Sequence, residues 1–410
     1  MKLRSSATSA TLAAVTLLAF LPGTTIGAAA ACDPGTRALQ YLAANQKADG
    51  SLDMKSAGGF GNPVATMNML IGAAASGYDP STITSGGNSG YAYLAANSST
   101  ATNSIGRAAT LVLALTAGNS PAGRFDVDNF GGVHPLSIVQ AGYTSSGANA
   151  GAFGDGSTFT QTLALLAYRA AGLTPPGASV TWLTNLRNTG RTSGGYTGEL
   201  GTDTGWSYAN QRDTAQADTN TTSEALMALA AAGNHTQDGP ALAFLHNQQN
   251  PDGGFPLEKP SAFGTSSDAD SDSLVLEALK AAGQPLSSWS IGGKTPLSNL
   301  LSMQDGNSGG FSGSGPDTFT SSEVPQGIAQ VPLPVVAASP SRALPAAGCP
   351  QAAATAASPS PTAVPMLPRA GTHPSAAGLD GWLAAALLGL VALGTAGAIA
   401  RRWCWNGRAR

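Results

Sequence analysis

The sequence predicts an all-α fold, an α6/α6 toroid in which six inner helices form a ring inside six outer helices. The first observation is a long internal repeat. Residues 217–233, ADTNTTSEALMALAAAG, return without a gap as residues 267–283, SDADSDSLVLEALKAAG, and a third copy begins at Asp317. The second observation is that these helices alternate with another kind, which indicates stacked units that bury one continuous core.

The composition agrees with closely packed helices. Charged residues make up 10% of the 410 residues, hydrophobic residues 42%, and there are 52 glycines. Small side chains let helices approach closely, and glycine allows tight connecting loops. The formal charge of −3 and the lack of a basic stripe exclude nucleic acid as an expected partner.

Residues 1–31 have the features of a secretory signal peptide. Lys2 and Arg4 precede an apolar run, and small residues lead up to Ala31. The alternative is a buried first helix, which Pro22 and Gly23 disfavour. The sequence therefore predicts an exported protein whose toroid domain covers residues 32–333.

Within that domain the two kinds of helix follow one another in six pairs. Outer helices follow a Pro or Gly-rich turn and end in Gln or Asn, and most inner helices end at a glycine. The predicted outer helices are 35–46, 91–97, 127–143, 180–188, 240–249 and 296–304. The predicted inner helices are 62–77, 103–118, 157–172, 217–233, 267–283 and 317–331. Pro325 and Gly327 predict that the last inner helix is short or kinked.

A glycine pair followed by an aromatic residue recurs between outer and inner helices. It occurs as Gly194-Gly195-Tyr196, as Gly253-Gly254-Phe255 and as Gly309-Gly310-Phe311. Such a pair permits a tight turn, and an upstream Gln or Asn is expected to bond carbonyls at the helix end. The fourth unit also carries an insertion, 197–216, that contains Trp206 and Tyr208.

The C-terminal region predicts a surface anchor. Residues 334–378 are rich in Pro, Ala and Ser, which indicates a disordered linker. Residues 379–403 predict a transmembrane helix, followed by a basic cytoplasmic tail at 404–410. Just before them lies a pentapeptide that resembles a sortase sorting signal: Leu367, Pro368, Arg369, Ala370 and Gly371. The predicted partners are therefore the membrane, with sortase and the cell wall if that signal is used.

Two cysteines, Cys32 and Cys349, bracket the exported repeat region. In an oxidising compartment they are expected to form a disulfide, because each has one available partner. Two unpaired thiols are the alternative. Ring closure would bring the first and last units together, which favours the pairing.

The turn pattern, the Asp-Thr helix starts and the Ala-Leu-rich helix bodies together resemble the prenyltransferase and squalene cyclase repeat. The resemblance covers about residues 33–333 and implies the α/α toroid fold. The superfamily also contains secreted cobalamin carriers, so a cobalamin-like ligand is compatible with the resemblance. Otherwise no cofactor is expected, and the zinc ligands of protein prenyltransferases are not matched here.

If all inner helices start at one rim, several acidic residues gather around the mouth of the ring. They are Asp218, Asp268, Asp270, Asp272 and Asp317. These residues, with Trp206 and Tyr208 of the insertion, are the candidate ligand-binding residues. The alternatives are that the acids only cap helices and that the aromatic pair only packs the loop. Thr221-x-x-Glu224 and Thr320-x-x-Glu323 match the capping-box pattern.

The run from Asp268 to Asp272 partly resembles the DxDD acid of class II terpene cyclases, and rim carboxylates could also serve a glycosidase. We nevertheless expect a cell-surface protein without catalytic or metal-binding residues. It would bind a small molecule, peptide or glycan in or at the rim of the central cavity. The alternative is a terpene cyclase-like or carbohydrate-active enzyme that uses the rim carboxylates.

Overall fold

The computed structural model describes residues 33–53, 61–118, 124–190, 203–210, 212–213, 215–261, 264–311, 316–335 and 340–346. Several predicted features lie outside these residues: the signal peptide, Cys32 and Cys349, the sorting motif, the transmembrane helix and the tail. Within the described residues, no helix has both the length and the apolar character of a membrane span.

The described chain is almost entirely helical. Its thirteen α-helices are α1 (Pro34–Ala44), α2 (Pro63–Ala75), α3 (Gly90–Ala96), α4 (Ser98–Ala101), α5 (Ile105–Ala117), α6 (Pro135–Ala141), α7 (Thr158–Ala170), α8 (Gly177–Leu186), α9 (Thr219–Ala231), α10 (Asp238–Gln248), α11 (Ala269–Ala281), α12 (Pro296–Ser302) and α13 (Thr318–Ala329). Two-residue strands form two antiparallel ladders, β1 (Leu52–Asp53) with β2 (Gly61–Asn62) and β3 (Thr84–Ser85) with β4 (Asn88–Ser89). The all-α prediction is confirmed.

Six of the helices form a closed ring. Helix α2 packs against α5, and the contacts continue through α7, α9, α11 and α13, which packs back against α2. Their outward faces carry buried Leu, Met and Ala side chains, so the core lies between this inner ring and the outer helices. All six inner helices occur at the positions that the repeat predicted.

The inner helices start at the same end of the ring. Residues at matching depths contact each other: Asn68 of α2 donates to Glu323 of α13 at 3.1 Å, and Ser273 of α11 donates to the Glu323 carbonyl at 2.8 Å. Likewise, the Thr162 hydroxyl of α7 lies 3.5 Å from a Glu224 carboxylate oxygen of α9. Contacts away from the helix middles show the direction: Thr320 lies 3.4 Å from Asp270 near the starts of α13 and α11, and Gly106 lies near Phe159 at the starts of α5 and α7. Side chains near these helix starts therefore surround one mouth of the ring.

Each outer helix packs mainly on the inner helix that precedes it around the ring. Helices α3, α6, α8, α10 and α12 pack on α2, α5, α7, α9 and α11, respectively, and α1 packs on α13. The first helix of the chain therefore completes the last unit. Gln304 reinforces this junction, because its side-chain amide donates to the Pro34 carbonyl at 2.8 Å.

The predicted Gly-Gly-aromatic turn is a hydrogen-bonded junction in the fifth and sixth units. Gly253 and Gly309 have φ of 87° and 82°, which glycine adopts without strain. Gln249 and Gln304 donate to the carbonyls of these two glycines at 2.9 and 2.8 Å. The upstream glutamines therefore bond carbonyls of the turn itself, in place of the helix-end carbonyls that were expected.

In the fourth unit the equivalent turn differs from the prediction. Asp218 N donates to the Trp206 carbonyl, as Asp268 N does to Phe255 and Asp317 N to Phe311. Asn188 N donates to the Gly205 carbonyl, as Asn250 N does to Gly254. Trp206 thus occupies the position of the turn aromatic, whereas the predicted turn Gly194-Gly195-Tyr196 lies outside the described residues.

Two helices differ from their predicted limits. Helix α6 begins at Pro135 instead of residue 127, because the preceding residues form turns and Phe130 pairs with Val133. Helix α13 runs through Pro325 for 12 residues, so it is nearly as long as the other inner helices, which have 13. Pro325 packs against α2 where that helix has Gly72.

Residues 340–346, which we call the strap, belong to the predicted linker but pack on the ring. Asp79 N donates to the Arg342 carbonyl at 2.8 Å, and the Arg342 guanidinium donates to the Ser76 carbonyl at 3.0 Å and lies over the Tyr78 ring. Gln40 of α1 donates to the Pro345 carbonyl at 3.1 Å. Ordered contacts therefore extend past the boundary predicted at residue 333.

Candidate functional site

Three predicted site residues, Asp218, Asp268 and Asp317, are the N-caps of α9, α11 and α13. We call them the N-cap acids. Their carboxylates accept from the backbone N–H of Thr221, Ser271 and Thr320 at 2.7, 2.8 and 2.9 Å. Each bond satisfies a backbone donor that the helix leaves unpaired, so all three residues cap their helices.

Asp270 and Asp272 have different surroundings although both lie in the first turn of α11. Asp270 faces α13, where the Thr320 hydroxyl donates to it at 3.4 Å. Asp272 is fully buried and accepts from the Phe255 N–H at 2.7 Å. The three acids of the run that resembled a DxDD acid therefore have separate roles: Asp268 caps α11, Asp270 contacts α13, and Asp272 bonds the preceding turn.

The position of Asp272 explains its role. It lies four residues after the N-cap, and the same position in other units holds Thr66, Gln161, Thr222 and Ser321. Each of these accepts from the backbone N–H of its own turn, at Leu52, Phe153, Trp206 and Phe311. Asp272 is therefore a structural acceptor, for which the other units use uncharged side chains.

The two aromatic candidates of the insertion lie in different environments. Trp206 has no exposed surface, and its indole N–H donates to the Leu183 carbonyl at 2.8 Å. Tyr208 is half-buried, and its ring stacks on Phe159 with centroids 5.1 Å apart. Trp206 therefore packs the loop against the protein, which was the alternative to ligand binding, whereas part of the Tyr208 side chain remains accessible.

The acidic residues that face the ring centre were not among the predicted candidates. We call Glu224 of α9, Glu277 of α11 and Glu323 of α13 the central carboxyl cluster. Glu224 and Glu323 are partly accessible although protein surrounds them, and Glu277 is 2% exposed. The capping-box prediction for Glu224 and Glu323 is wrong, because the caps lie six residues earlier at Asp218 and Asp317.

Helix geometry places the cluster below the mouth of the ring. At about 1.5 Å per residue, Glu224 and Glu323 lie about 9 Å below the N-cap acids, and Glu277 about 13–14 Å below them. Because helical side chains tilt toward the N-terminus, the Glu277 carboxyl reaches back up toward the other two. Its contact of 3.5 Å with the hydroxyl of Ser273, four residues earlier, has this direction.

Electrostatics couple the three carboxyls. Burial raises the pKa of Glu224 to about 8, with added repulsion from Asp218 and Glu323. Burial raises the pKa of Glu323 to about 8, with Asp317 and Asp268 adding to it. The pKa of Glu277 lies well above its usual range because of burial and then the charges of Glu323 and Glu224. The cluster therefore holds protons at neutral pH.

The cluster has few partners within the protein. Glu224 and Glu323 are each contacted by one uncharged side chain, Thr162 and Asn68. No Lys or Arg in the described part of the chain forms an ion pair with any of the three. Nor do the described residues include a group of three or more His, Cys, Asp or Glu that could hold a metal ion.

Ideal helix packing predicts room beside the cluster. In a hexagon of helices about 8–10 Å apart, each axis is also about 8–10 Å from the centre. Because a helix with its side chains is about 10–12 Å across, a radius of roughly 2–5 Å remains. On α11, Leu274 shares this inward face with Asp270 and Glu277, since the three are spaced i, i+4 and i+7.

Comparisons with known proteins add little. No protein-family model matches the chain, and no curated protein matches it. Among solved structures, the chain is similar to Candida albicans protein geranylgeranyltransferase-I complexed with GGPP, with 14% identity and a TM-score of 0.39. The match covers 55% of this chain and 66% of that one, just under two thirds of its length. The neighbour is a protein prenyltransferase, but at this TM-score the likeness supports no conclusion.

Proposed function

We propose that this chain is a cell-surface protein that binds a small molecule in the space enclosed by the inner helices, without catalysis. The central carboxyl cluster carries the proposal. Three acidic side chains converge there from three helices, with few contacts inside the protein. Converging polar groups at the bottom of an enclosed space are typical of a ligand site.

The dimensions of the ring favour a small or extended ligand. A radius of roughly 2–5 Å admits a slender molecule along the axis but no folded partner. The surface location rests on the predicted signal peptide, sorting motif and transmembrane helix. A peptide or glycan remains an alternative only as an extended chain that enters at the N-cap acids.

An acid-catalysing enzyme is the second candidate, because a carboxylic acid that stays protonated near neutral pH can donate a proton. Glu224 and Glu323, each with a pKa of about 8, meet that requirement. However, a terpene cyclase also needs aromatic rings around its cations. The inward positions identified on α9, α11 and α13 carry Glu, Asp and Leu, which favours binding.

A steric block tests the proposal without changing any charge. Leu274→Trp places an indole in the central space, and Leu173→Trp makes the same change at an exposed position after α7. The full chain is recovered from culture medium, and mass spectrometry identifies the small molecules that it retains. We expect Leu173→Trp to retain the compound found with the native chain and Leu274→Trp to lose it.

Retention of the same compound by folded Leu274→Trp would place the site elsewhere and contradict the proposal. Thermal unfolding of both variants checks that the ring is intact. Chemical conversion of the retained compound by the native chain, but not by Glu224→Gln or Glu323→Gln, would instead favour the enzyme.

A further inference from the structure

We propose that the central carboxyl cluster binds an ammonium group of a linear polyamine that lies along the axis of the ring. This inference rests on the proposed function and specifies the class of ligand. Three observations support it: a buried carboxyl oxygen without a hydrogen-bond partner, two sets of acidic residues at different depths along the ring axis, and the charged groups that face the cluster.

The unpartnered oxygen belongs to Glu277. This side chain is 2% exposed, one carboxyl oxygen lies 3.5 Å from the Ser273 hydroxyl, and the other has no hydrogen-bond partner. Leaving a buried carboxyl oxygen without a partner costs free energy, about 1–3 kcal/mol or more for a charged group. The contact with Ser273, one turn nearer the helix start, directs the Glu277 carboxyl up toward Glu224 and Glu323, and after burial the charges of these two residues raise its pKa.

An ammonium group suits this arrangement better than a metal ion. Three carboxyls that repel one another are stabilised by a cation placed between them. The described residues include no group that could hold a metal ion, so the carboxyls do not form a tight coordination shell. An ammonium group has three N–H donors on a flexible stem and can bond carboxylates that are too far apart to share a metal.

A second acidic level explains why a linear polyamine fits better than a simple amine. The N-cap acids lie about 9 Å above Glu224 and Glu323, nearer the mouth of the ring. Burial raises the pKa of Asp218 to about 7 and that of Asp268 to about 6, so a cation beside them would favour their ionised forms near neutral pH. A slender chain with ammonium groups at both ends would reach both levels within the narrow central space.

The groups that face the cluster fix the pH dependence of binding. Helices α9, α11 and α13 contribute the three glutamates, α11 also contributes Asp270, and α2 and α7 contribute the uncharged Asn68 and Thr162. Tyr208 also faces Glu224, but burial and then that charge raise its pKa to about 12, so it stays protonated in this range. On α5, Arg107 instead bonds Thr100 and Asn103 at the outside of the ring. Since the polyamine stabilises ionised carboxyls, its binding releases protons near pH 7 and tightens as the pH rises toward about 8.

The test is isothermal titration calorimetry of the full chain with spermidine at about pH 6 and about pH 8, where spermidine keeps its charge. Repeating the titration in buffers of different ionisation enthalpy measures proton release. We expect one saturable site that is at least about tenfold tighter at the higher pH. Butylamine, which carries one ammonium group, should bind about tenfold or more weakly than spermidine.

Three variants locate the binding. Glu277→Gln and Glu224→Gln keep the side-chain shape and should each weaken spermidine binding about tenfold or more at about pH 8. Asp238→Asn removes the same charge from the outer helix α10 and should leave binding unchanged. The two glutamine variants are independent, so one remains informative if the other fails to fold.

Two results would overturn the inference: no saturable binding of spermidine, or equal binding by the native chain and both glutamine variants. These results differ from a failure of the proposed function. If spermidine does not bind but Leu274→Trp still abolishes retention of another compound, the ring is a binding site for a different ligand class. If Leu274→Trp retains every compound, the binding site itself has been misplaced.

Discussion

The role of an acidic residue in this ring is set by its distance from the helix start. At the N-cap, Asp218, Asp268 and Asp317 accept backbone N–H groups. Four residues later Asp272 accepts from the turn, and the acids of the central carboxyl cluster lie six or nine residues after the caps, deeper along the ring. Residue type alone could not reveal this, which is why the sequence pointed to the rim and missed Glu224, Glu277 and Glu323.

Asp272 should be replaceable by an uncharged acceptor. Asp272→Thr keeps an oxygen for the Phe255 N–H, as Thr66 and Thr222 do in their units, and removes a buried carboxyl with one unpartnered oxygen. We expect unchanged or slightly increased stability at neutral pH. Asp272→Val has the shape of threonine but no hydrogen-bond acceptor. We expect it to be about 1–3 kcal/mol less stable than Asp272→Thr. Urea unfolding of both variants measures the difference, and equal stabilities would contradict the role of Asp272.

We expect Trp206 to stabilise the fold and not to contact a ligand. Trp206→Ala removes a fully buried indole and its bond to Leu183, so we expect a loss of about 3–5 kcal/mol. Tyr208→Ala removes a half-buried ring stacked on Phe159 and should lose only about 1 kcal/mol. Denaturant unfolding compares them; a Trp206→Ala variant as stable as Tyr208→Ala would return Trp206 to the candidate ligand contacts.

At the scale of the element, the recurring unit is a helix start joined to the turn before it. The turn aromatic donates its N–H to the residue four positions after the cap, and the cap donates its own N–H to the aromatic's carbonyl. The repeat predicted the inner helices because this pair of bonds fixes where each begins. It did not reveal the turn at Gly205-Trp206, because only one glycine precedes this aromatic, although Trp206 has nearly the spacing to its cap that Phe255 has.

The second glycine of the turn is required for close approach. At Gly254 an added Cβ would lie 2.3 Å from the Asn299 side-chain oxygen, although its φ is unrestricted. We therefore expect Gly254→Ala to destabilise the protein by about 1–3 kcal/mol through overpacking. Gly239→Ala in helix α10 meets nothing within 4 Å and should stabilise it by about 0.5–1 kcal/mol. Thermal unfolding measures whether each variant is more or less stable than the native chain. A Gly254→Ala variant as stable as the native chain would show that Asn299 moves away at little cost.

At the scale of the whole molecule, the closed ring brings together charges that are far apart in sequence. The closure itself follows from the repeat number, since six similar units return the chain to its first helix. The charge cluster was harder to predict, because it depends on which face of each inner helix points to the centre. The pairing of Cys32 with Cys349 stays a prediction.

Stability should fall as the pH rises through the titration of this cluster. The folded state raises the pKa of Glu224 and Glu323 to about 8, so it binds more protons than the unfolded chain above about pH 4.5. The stabilisation is complete below that pH and is lost as the pH approaches about 8. We expect the free energy of unfolding to drop by several kcal/mol across this range.

Urea unfolding at a series of pH values checks this expectation. The double variant Glu224→Gln, Glu323→Gln removes two of the titrating groups and should show a flatter profile, while Asp238→Asn should follow the native chain. A stability that increases from about pH 5 to about pH 8 would contradict the assignment of raised pKa values.

The strap determines how the ring would respond to tension from an anchor. Its bonds from Asp79 and Gln40 lie beside α1 and the loop after α2, whereas the ring closes by packing of α13 on α2, and α1 is joined to the last unit by the separate bond from Gln304 to Pro34. A pull on the chain beyond residue 346 therefore loads the strap before it loads any helix. If the predicted anchor is used, we expect the strap to detach and extend before the ring opens, which would insulate the space enclosed by the inner helices from movements of the surface.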